Sequence, residues 1–188
     1  MTTTTLTSAT LDDLLKVEGK AELVAGRIVH FMPSGALSST VAFEIAIHLR
    51  EYTKRTNRGH AFADGVGFAL ATPLENGRES FSPDASFYDG PLPLNRMRFI
   101  TGVPQLAVEV RSENDYGTAS ELDRAEKRDD YFAAGTVVVW DVDPLGQTIT
   151  QYLASNPTVG TIYRRGDVAD AEPALPGWRL SVNDIFLT

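Results

Sequence analysis

Pro104-Gln-Leu-Ala-Val-Glu-Val-Arg111 is a strand-like run that carries a single carboxylate. Leu106, Val108 and Val110 alternate with Gln105, Ala107, Glu109 and Arg111, the period of a strand with one apolar face and one face kept for something polar. A solvated face would give the same alternation, so Glu109 alone leaves the purpose of that face open. A second short strand narrows it. In Phe81-Ser-Pro-Asp-Ala-Ser-Phe-Tyr88, Asp84 follows a proline and opens an aromatic-rich run. Two strands that each offer one acid at a sheet face can make a carboxylate pair.

Outward from that pair, towards the N-terminus, Gly90 to Gly102 reads as a loop with Pro91 and Pro93, and Thr72 to Ser80 as a turn-rich connection. His60 to Leu70 reads as a strand that Gly65 and Gly67 bend or bulge. Ser39 to about Lys54 is predicted to be a core helix, because Val41, Ile45, Leu49 and Tyr52 fall at helical spacing and Ala42, Ala46 and Ile47 widen the stripe. His48 lies beside that stripe as a structural histidine, and Asn57-Arg-Gly59 ends the helix with a glycine suited to a left-handed cap. Glu22 to Phe31 reads as a hairpin turning at Ala25-Gly26, with Glu22 its only acid, a residue that composition alone would put at an exposed strand end. Before it, Thr10 caps a short helix to about Glu18, with Asp12 and Asp13 favourable in the first turn, and Gly19 stops it.

Towards the C-terminus, Arg111 to Gly117 is a polar loop. Thr118 to Ala134 is predicted helical, with Ala119, Leu122, Ala125, Phe132 and Ala133 on its inner face, Lys127 and Tyr131 to one side, and Gly135 as its stop. Thr136-Val-Val-Val-Trp-Asp-Val-Asp-Pro144 is the almost continuous apolar run of a central strand buried on both faces. Gln147 to Leu153 and Thr161 to Arg165 are polar enough for a sheet edge, and Leu175 to Phe186 closes the chain with Trp178 and Phe186 as anchors. The order of elements is that of an α/β or α+β fold.

At 188 residues and 43% hydrophobic, the chain suits one domain over 1–188 with a substantial core, residues 1–10 being a flexible, threonine-rich lead-in. It has no cysteine, which removes disulfides and thiolate metal sites. The start lacks a basic and an apolar region, and nowhere do about 18 apolar residues run together, so a cytoplasmic protein without a membrane partner is expected. A formal charge of −8 argues against a broad nucleic-acid surface, because phosphates are usually neutralised by clustered Lys and Arg. No phosphate-binding glycine loop, dinucleotide fingerprint or nucleophile elbow is present, and His30, His48 and His60 lack metal-ligand spacing. What remains is Asp84 and Glu109 with Arg111 and Lys127, the acids and cation that a hard divalent ion working on a phosphodiester requires.

Ser82-Pro-Asp84, Glu109-Val-Arg-Ser112, Lys127 with Tyr131 and Gly135, Val139-Trp-Asp-Val-Asp-Pro144 and Leu175-Pro-Gly-Trp178, in that order, resemble the Uma-type restriction-endonuclease family of the PD-(D/E)XK superfamily from about Glu22 to Phe186. The resemblance implies a restriction-endonuclease-like mixed central sheet flanked by helices, DNA as substrate, a homodimer, and Mg²⁺ (or Mn²⁺) held by Asp84 and Glu109. It also implies a lysine moved from the strand to the following helix, at Lys127, and an acid in the hairpin, at Glu22. The chain departs from the pattern where many relatives carry a histidine, here Ser38, and where Arg111-Ser-Glu113 replaces Leu-Ser-Pro. Arg111 occupies the position of the superfamily's original lysine and competes with Lys127 for the catalytic cation; the Tyr131 and Gly135 offsets favour Lys127. Acidity and the missing histidine keep a second reading open, a nuclease fold retained as a silent binding or regulatory module. If the chain meets DNA, Arg50, Lys54, Arg55 and Arg58, with Arg96 and Arg98, are expected to form a basic patch facing the acids.

Overall fold

The computed structural model describes residues 8–186. The chain runs through α1 (Leu11–Leu14), β1 (Ala21–Val24), β2 (Arg27–His30), α2 (Ala36–Thr56), β3 (His60–Ala63), β4 (Phe68–Ala69), β5 (Ser80–Phe81), β6 (Ala85–Tyr88), β7 (Ile100–Thr101) and β8 (Leu106–Val110). It continues through α3 (Thr118–Ala134), β9 (Val138–Asp143), β10 (Thr148–Leu153), β11 (Asn156–Arg164), β12 (Val168–Asp170), β13 (Arg179–Ser181) and a short 3-10 turn at Val182–Asp184. The architecture is the mixed α+β one expected, a central mixed sheet with helices against it.

Six strands form that sheet in the order β11-β10-β9-β8-β6-β3. β8 and β9 pair in parallel, which requires a crossover, and α3 supplies it; the other neighbours are antiparallel. The apolar residues of β8, Leu106, Val108 and Val110, face α2, where Val41, Ile45, Leu49 and Tyr52 meet them with Phe87 and Trp140. The closing segment covers the same core with Leu175, Trp178, Ile185 and Phe186, and Trp178 stacks on Trp140 at 5.3 Å between ring centroids. On the opposite face Ala107 and Val139 pack with Phe68, Phe81, Ile100 and Tyr131, under α3 and a small sheet of order β5-β4-β7. β8 thus turns Leu106, Val108 and Val110 to one face as its alternation predicted, but its other face is also largely apolar, Ala107 being buried there and Glu109 alone being polar within the strand.

Several boundaries differ from the sequence reading, each for a local reason. α1 is a single turn ending at Leu14; Thr10 does cap it, in a capping box with Asp13. The expected lead-in falls largely on residues 1–7, outside the described residues, and just after them Ala9 N–H already donates to Gly26 O at 2.9 Å, so residue 9 is tied to the hairpin turn. Asn57, at φ 52°, takes the left-handed cap of α2 two residues before the expected Gly59. The bend predicted in His60 to Leu70 is a change of sheet: β3 joins the six-stranded sheet and β4 the three-stranded one.

The largest correction concerns α3. Leu122, expected on the inner face, is 64% exposed, and Tyr131, expected at the side, is fully buried. The helix turns Arg124, Lys127 and Tyr131 inward because the sheet it meets presents Glu109 and Asp141. Charge complementarity to two partly buried acids outweighs the burial of one leucine, worth about 2 kcal/mol.

Candidate active site

The site grows from strand register. β6 and β8 pair with Ala85 opposite Val108, and one further step sets Asp84 opposite Glu109. β3 and β6 pair with Ala63 opposite Ala85, and one further step sets Asp64 opposite Asp84. In the parallel pair, Glu109 lies opposite Asp141 of β9. Asp64, Asp84, Glu109 and Asp141 therefore form a row of acids across four neighbouring strands. Such a row is tolerable at the partly covered end of a sheet only with counter-charges.

Lysines supply the counter-charges at three of these positions. Lys127 Nζ, from α3, lies 3.0 Å from Glu109 Oε2 and 3.0 Å from Glu22 Oε1. Lys20 Nζ, from the residue before β1, lies 2.5 Å from Asp84 Oδ1 and 2.7 Å from Asp64 Oδ1. The Phe31 ring sits beside both ammonium groups, at 5.0 Å from Lys127 Nζ and 5.9 Å from Lys20 Nζ. Each acid is also fixed by a second contact. Val110 N–H donates to Asp84 Oδ2 at 2.8 Å, and Tyr131 Oη donates to Glu109 Oε1 at 2.7 Å. Ser82 N–H donates to Glu22 Oε1 at 2.9 Å, and Arg78 donates to Glu22 Oε2 at 2.6 Å and to Asp130 Oδ2 at 2.6 Å.

All four residues expected at the site thus come together: Asp84 opposite Glu109, and Lys127 between Glu109 and Glu22. Glu22 is 1% exposed, against the expectation of an exposed strand end, because β1 lies along the segment before β5 and the hairpin turns Glu22 inward onto Arg78. Lys127, expected at the side of α3, is a partly buried bridge between two carboxylates. Arg111 lies elsewhere: its guanidinium holds Asp141 with two hydrogen bonds of 3.0 Å and also pairs with Glu121, while Arg124 holds Asp141 from the other side. Ser38, where the resemblance would put a histidine, donates to Arg111 O at 2.7 Å.

The electrostatics follow from these contacts. Burial, with the charges of Asp84 and Glu22, pushes the Glu109 carboxyl pKa up against the opposing pull of Lys127 and Lys20. For Glu22 burial acts in the same sense, but Lys127, Arg78 and the Ser82 N–H overcome it and hold the carboxyl below its usual range. Burial works against the charge of Lys127 and of Lys20, yet the surrounding carboxylates raise both ammonium pKa values. Burial and the charge of Glu109 push the Tyr131 phenol well above its ordinary value, so it stays a proton donor to Glu109.

Sequence reasoning missed Lys20, Asp64, Arg78 and Asp130. Lys20 had a signal, since it lies two residues before Glu22 and so on the same side of the strand. Arg78 had none: it reaches Glu22 across 56 residues of sequence from a turn-rich connection.

The expected basic patch does not border the acids. The N-terminal turn of α2 is what faces them, Ser38, Ser39, Ala42 and Phe43 lining a cleft of about 130 Å³ with Asp64, Asp84 and Val110. Arg50, Lys54 and Arg55 lie roughly 18–26 Å along the helix axis from Ser38. Arg58 pairs with Asp89, at the end of β6 away from Asp84, and Arg98 lies 3.8 Å from Asp12.

Two carboxylates on adjacent strands, with water access through the cleft, suit a hard divalent ion that keeps most of its own waters. Asp64, Asp84, Glu109, Glu22 and Asp130 are linked by Lys20, Lys127 and Arg78, five carboxylates against three cations, which leaves two negative charges when all are ionised. That is the charge of one divalent cation. Among the described residues no group of three His, Cys, Asp or Glu side chains converges as a complete metal cage. No helix among them is long and apolar enough to cross a membrane.

Residues 9–183 match the profile of the Uma2 family, described as "Putative restriction endonuclease". The fold is similar to the crystal structure of a protein from Anabaena variabilis described as "a putative nuclease belonging to DUF820", at 21% identity and a TM-score of 0.69, covering 94% of this chain and 97% of that one. No curated protein matches the chain.

Proposed function

The chain belongs to the Uma2 restriction-endonuclease-like family, and on that premise we propose that it is a Mg²⁺-dependent endonuclease hydrolysing DNA phosphodiester bonds at Asp84, Glu109, Lys127 and Glu22. The observation that carries this reading is the pairing of Asp84 with Glu109 in a cluster whose ionised groups fall two positive charges short of neutrality. A bound Mg²⁺ would supply the missing charge, polarise a phosphate oxygen and lower the pKa of a coordinated water.

The chain's own residues do the rest. Tyr131 and the Val110 N–H fix one oxygen each of Glu109 and Asp84, which holds the two carboxylates in place while their other oxygens face Lys127 and Lys20. Lys127 Nζ, held between Glu109 and Glu22, is charged and near enough to Glu109 to orient a water or a phosphate oxygen beside it. Glu22, locked by Arg78 and Ser82, fixes where that ammonium sits. Arg111 is engaged by Asp141 and Glu121, which supports Lys127 rather than Arg111 as the catalytic cation. The homodimer and the cytoplasmic setting expected from the sequence belong to the same proposal; sedimentation of the pure protein tests the first.

The test is incubation of the protein with supercoiled plasmid in Mg²⁺ or Mn²⁺ against EDTA, with Asp84→Asn and Glu109→Gln alongside. Metal-dependent nicking that both substitutions abolish is expected. Melting in Mn²⁺ gives a second readout: about 2.7 kcal/mol of stabilisation at a hundredfold excess over the dissociation constant, erased by either substitution. Metal-dependent stabilisation without nicking would favour the silent binding module instead.

A further inference from the structure

Lys20 has no part in the chemistry proposed above, yet it is the closest cation to Asp84 and is itself mostly covered, with 18% of its side chain exposed. Its ammonium is shared between two acids of different standing. Asp84, with 14% of its side chain exposed, sits inside the cleft; Asp64, at 51%, faces solvent at the end of β3. Asp84 Oδ2 is committed to the Val110 N–H at 2.8 Å, so Oδ1, where Lys20 sits at 2.5 Å, is the oxygen left for a metal ion. An ammonium and a divalent cation repel, so in this partly buried setting they compete for that oxygen.

We propose that Lys20 gates the metal position: it neutralises Asp84 while no metal is bound and passes to Asp64 when a divalent cation takes Asp84. Asp64 is the holding place, already 2.7 Å from the ammonium, so the transfer needs no backbone movement. Lysine suits this role because its charge rides on a flexible stem and makes no fixed fork of hydrogen bonds. The pair Lys20 and Asp64 then sets how tightly the site holds its metal: the lysine weakens binding, and Asp64 offsets that by accepting the displaced ammonium. The proposal rests on the reading of Asp84 as a metal ligand.

The experiment is isothermal titration of the full chain with Mn²⁺ alone, for wild type, Lys20→Gln, Lys20→Arg, Asp64→Asn and the Lys20→Gln/Asp64→Asn double variant, each first checked for cooperative melting. Lys20→Gln should tighten Mn²⁺ binding about tenfold, the order lost with one charge-assisted hydrogen bond. Lys20→Arg, which keeps the charge and adds a fixed fork, should give no tightening. Asp64→Asn should weaken binding severalfold in the wild-type background and have almost no effect once Lys20 is glutamine. An unchanged or weaker affinity in Lys20→Gln overturns the gate while leaving Asp84 as a metal ligand. Equal weakening by Asp64→Asn in both backgrounds also overturns it, since that is the signature of a general negative field with no transfer of the lysine. If neither wild type nor Lys20→Gln takes up Mn²⁺ while both melt cooperatively, the metal reading of Asp84 fails and the gate fails with it.

Discussion

Replacing Arg78 with methionine tests whether the buried charges below the site are held as the geometry says. The guanidinium donates to Glu22 at 2.6 Å, to Asp130 at 2.6 Å and to Ser80 O at 3.4 Å, and lies 5.0 Å from the Phe81 ring centroid. Methionine keeps most of the packing against Phe81 and removes the charge. Breaking a buried ion pair from one side costs about 3–5 kcal/mol, and the lower end applies because Glu22 keeps Lys127 and the Ser82 N–H. For a chain of 188 residues a loss of about 3 kcal/mol is a fall of about 8 °C in Tm. The loss should depend on pH with a definite sign. The folded-state pKa of Glu22 is depressed, so its stabilisation is complete above the unfolded carboxylate range near about 4.3 and disappears as pH falls through the lower folded value. Urea titrations at pH 7 and at progressively lower pH should therefore show the gap between wild type and Arg78→Met narrowing in acid. In the Glu22→Gln background the same substitution should cost less, because Asp130 is then the only partner acid of Arg78 left behind. A gap of under about 0.5 kcal/mol at pH 7, the range of ordinary surface substitutions, or one that widens in acid, would refute the reasoning.

Asp141→Asn leaves Arg111 and Arg124 facing each other without their shared carboxylate and should destabilise the fold by about 3–5 kcal/mol in urea titration. Tyr131→Phe keeps the stacking on Phe81 at 4.2 Å but removes the donor to Glu109; it should cost about 1.5–3 kcal/mol and move the Glu109 pKa further up, visible as a shift of the carboxyl titration in NMR. Lys127→Ala removes the cation from between Glu109 and Glu22 and should abolish metal-dependent nicking while Mn²⁺ uptake, followed by calorimetry, survives. Gly59→Ala should destabilise strongly in thermal melts, because its φ is +64° and a Cβ would come within 2.5 Å of the Phe87 ring.

How much of this was legible in the sequence depends on how local each cause is. The alternation in β8, the continuous apolar run of β9 and the stripe of α2 are periodic signals, and each element appears with its core face as read. The acids Asp84 and Glu109 were legible as residues out of place on strands, and their pairing follows from register. The inner face of α3 was not legible from hydrophobicity, because what it meets is a row of acids contributed by other strands; a count of apolar residues points to Leu122, whereas the sheet selects Lys127 and Tyr131. Arg78 and Lys20 were missed for the same reason. Their partners lie 56 and 64 residues away, and a charged side chain in a turn reads as solvated until its partner is known.

The division of labour between arginine and lysine across the row separates its two ends. Asp141 is held by two guanidinium groups whose planar forks fix both of its oxygens, so this end of the row is stiff and locally neutralised. Asp64 and Asp84 share one lysine, and Glu22 and Glu109 share another, so each ammonium divides its charge between two acids and neither pair is neutral. The charge deficit therefore falls at Asp84 and Glu109, in the middle of the row, with Asp84 lining the cleft and Glu109 beneath Lys127 and Tyr131 of α3. Arg111 stands where the resemblance would put a catalytic lysine, but its fork is spent on Asp141 and Glu121, which leaves it no free donor pair to follow a reacting group. A lysine on the facing helix reaches the middle of the row without that commitment, and on the proposed reading of the site this is the physical reason for the catalytic cation to sit on α3 and not on the strand.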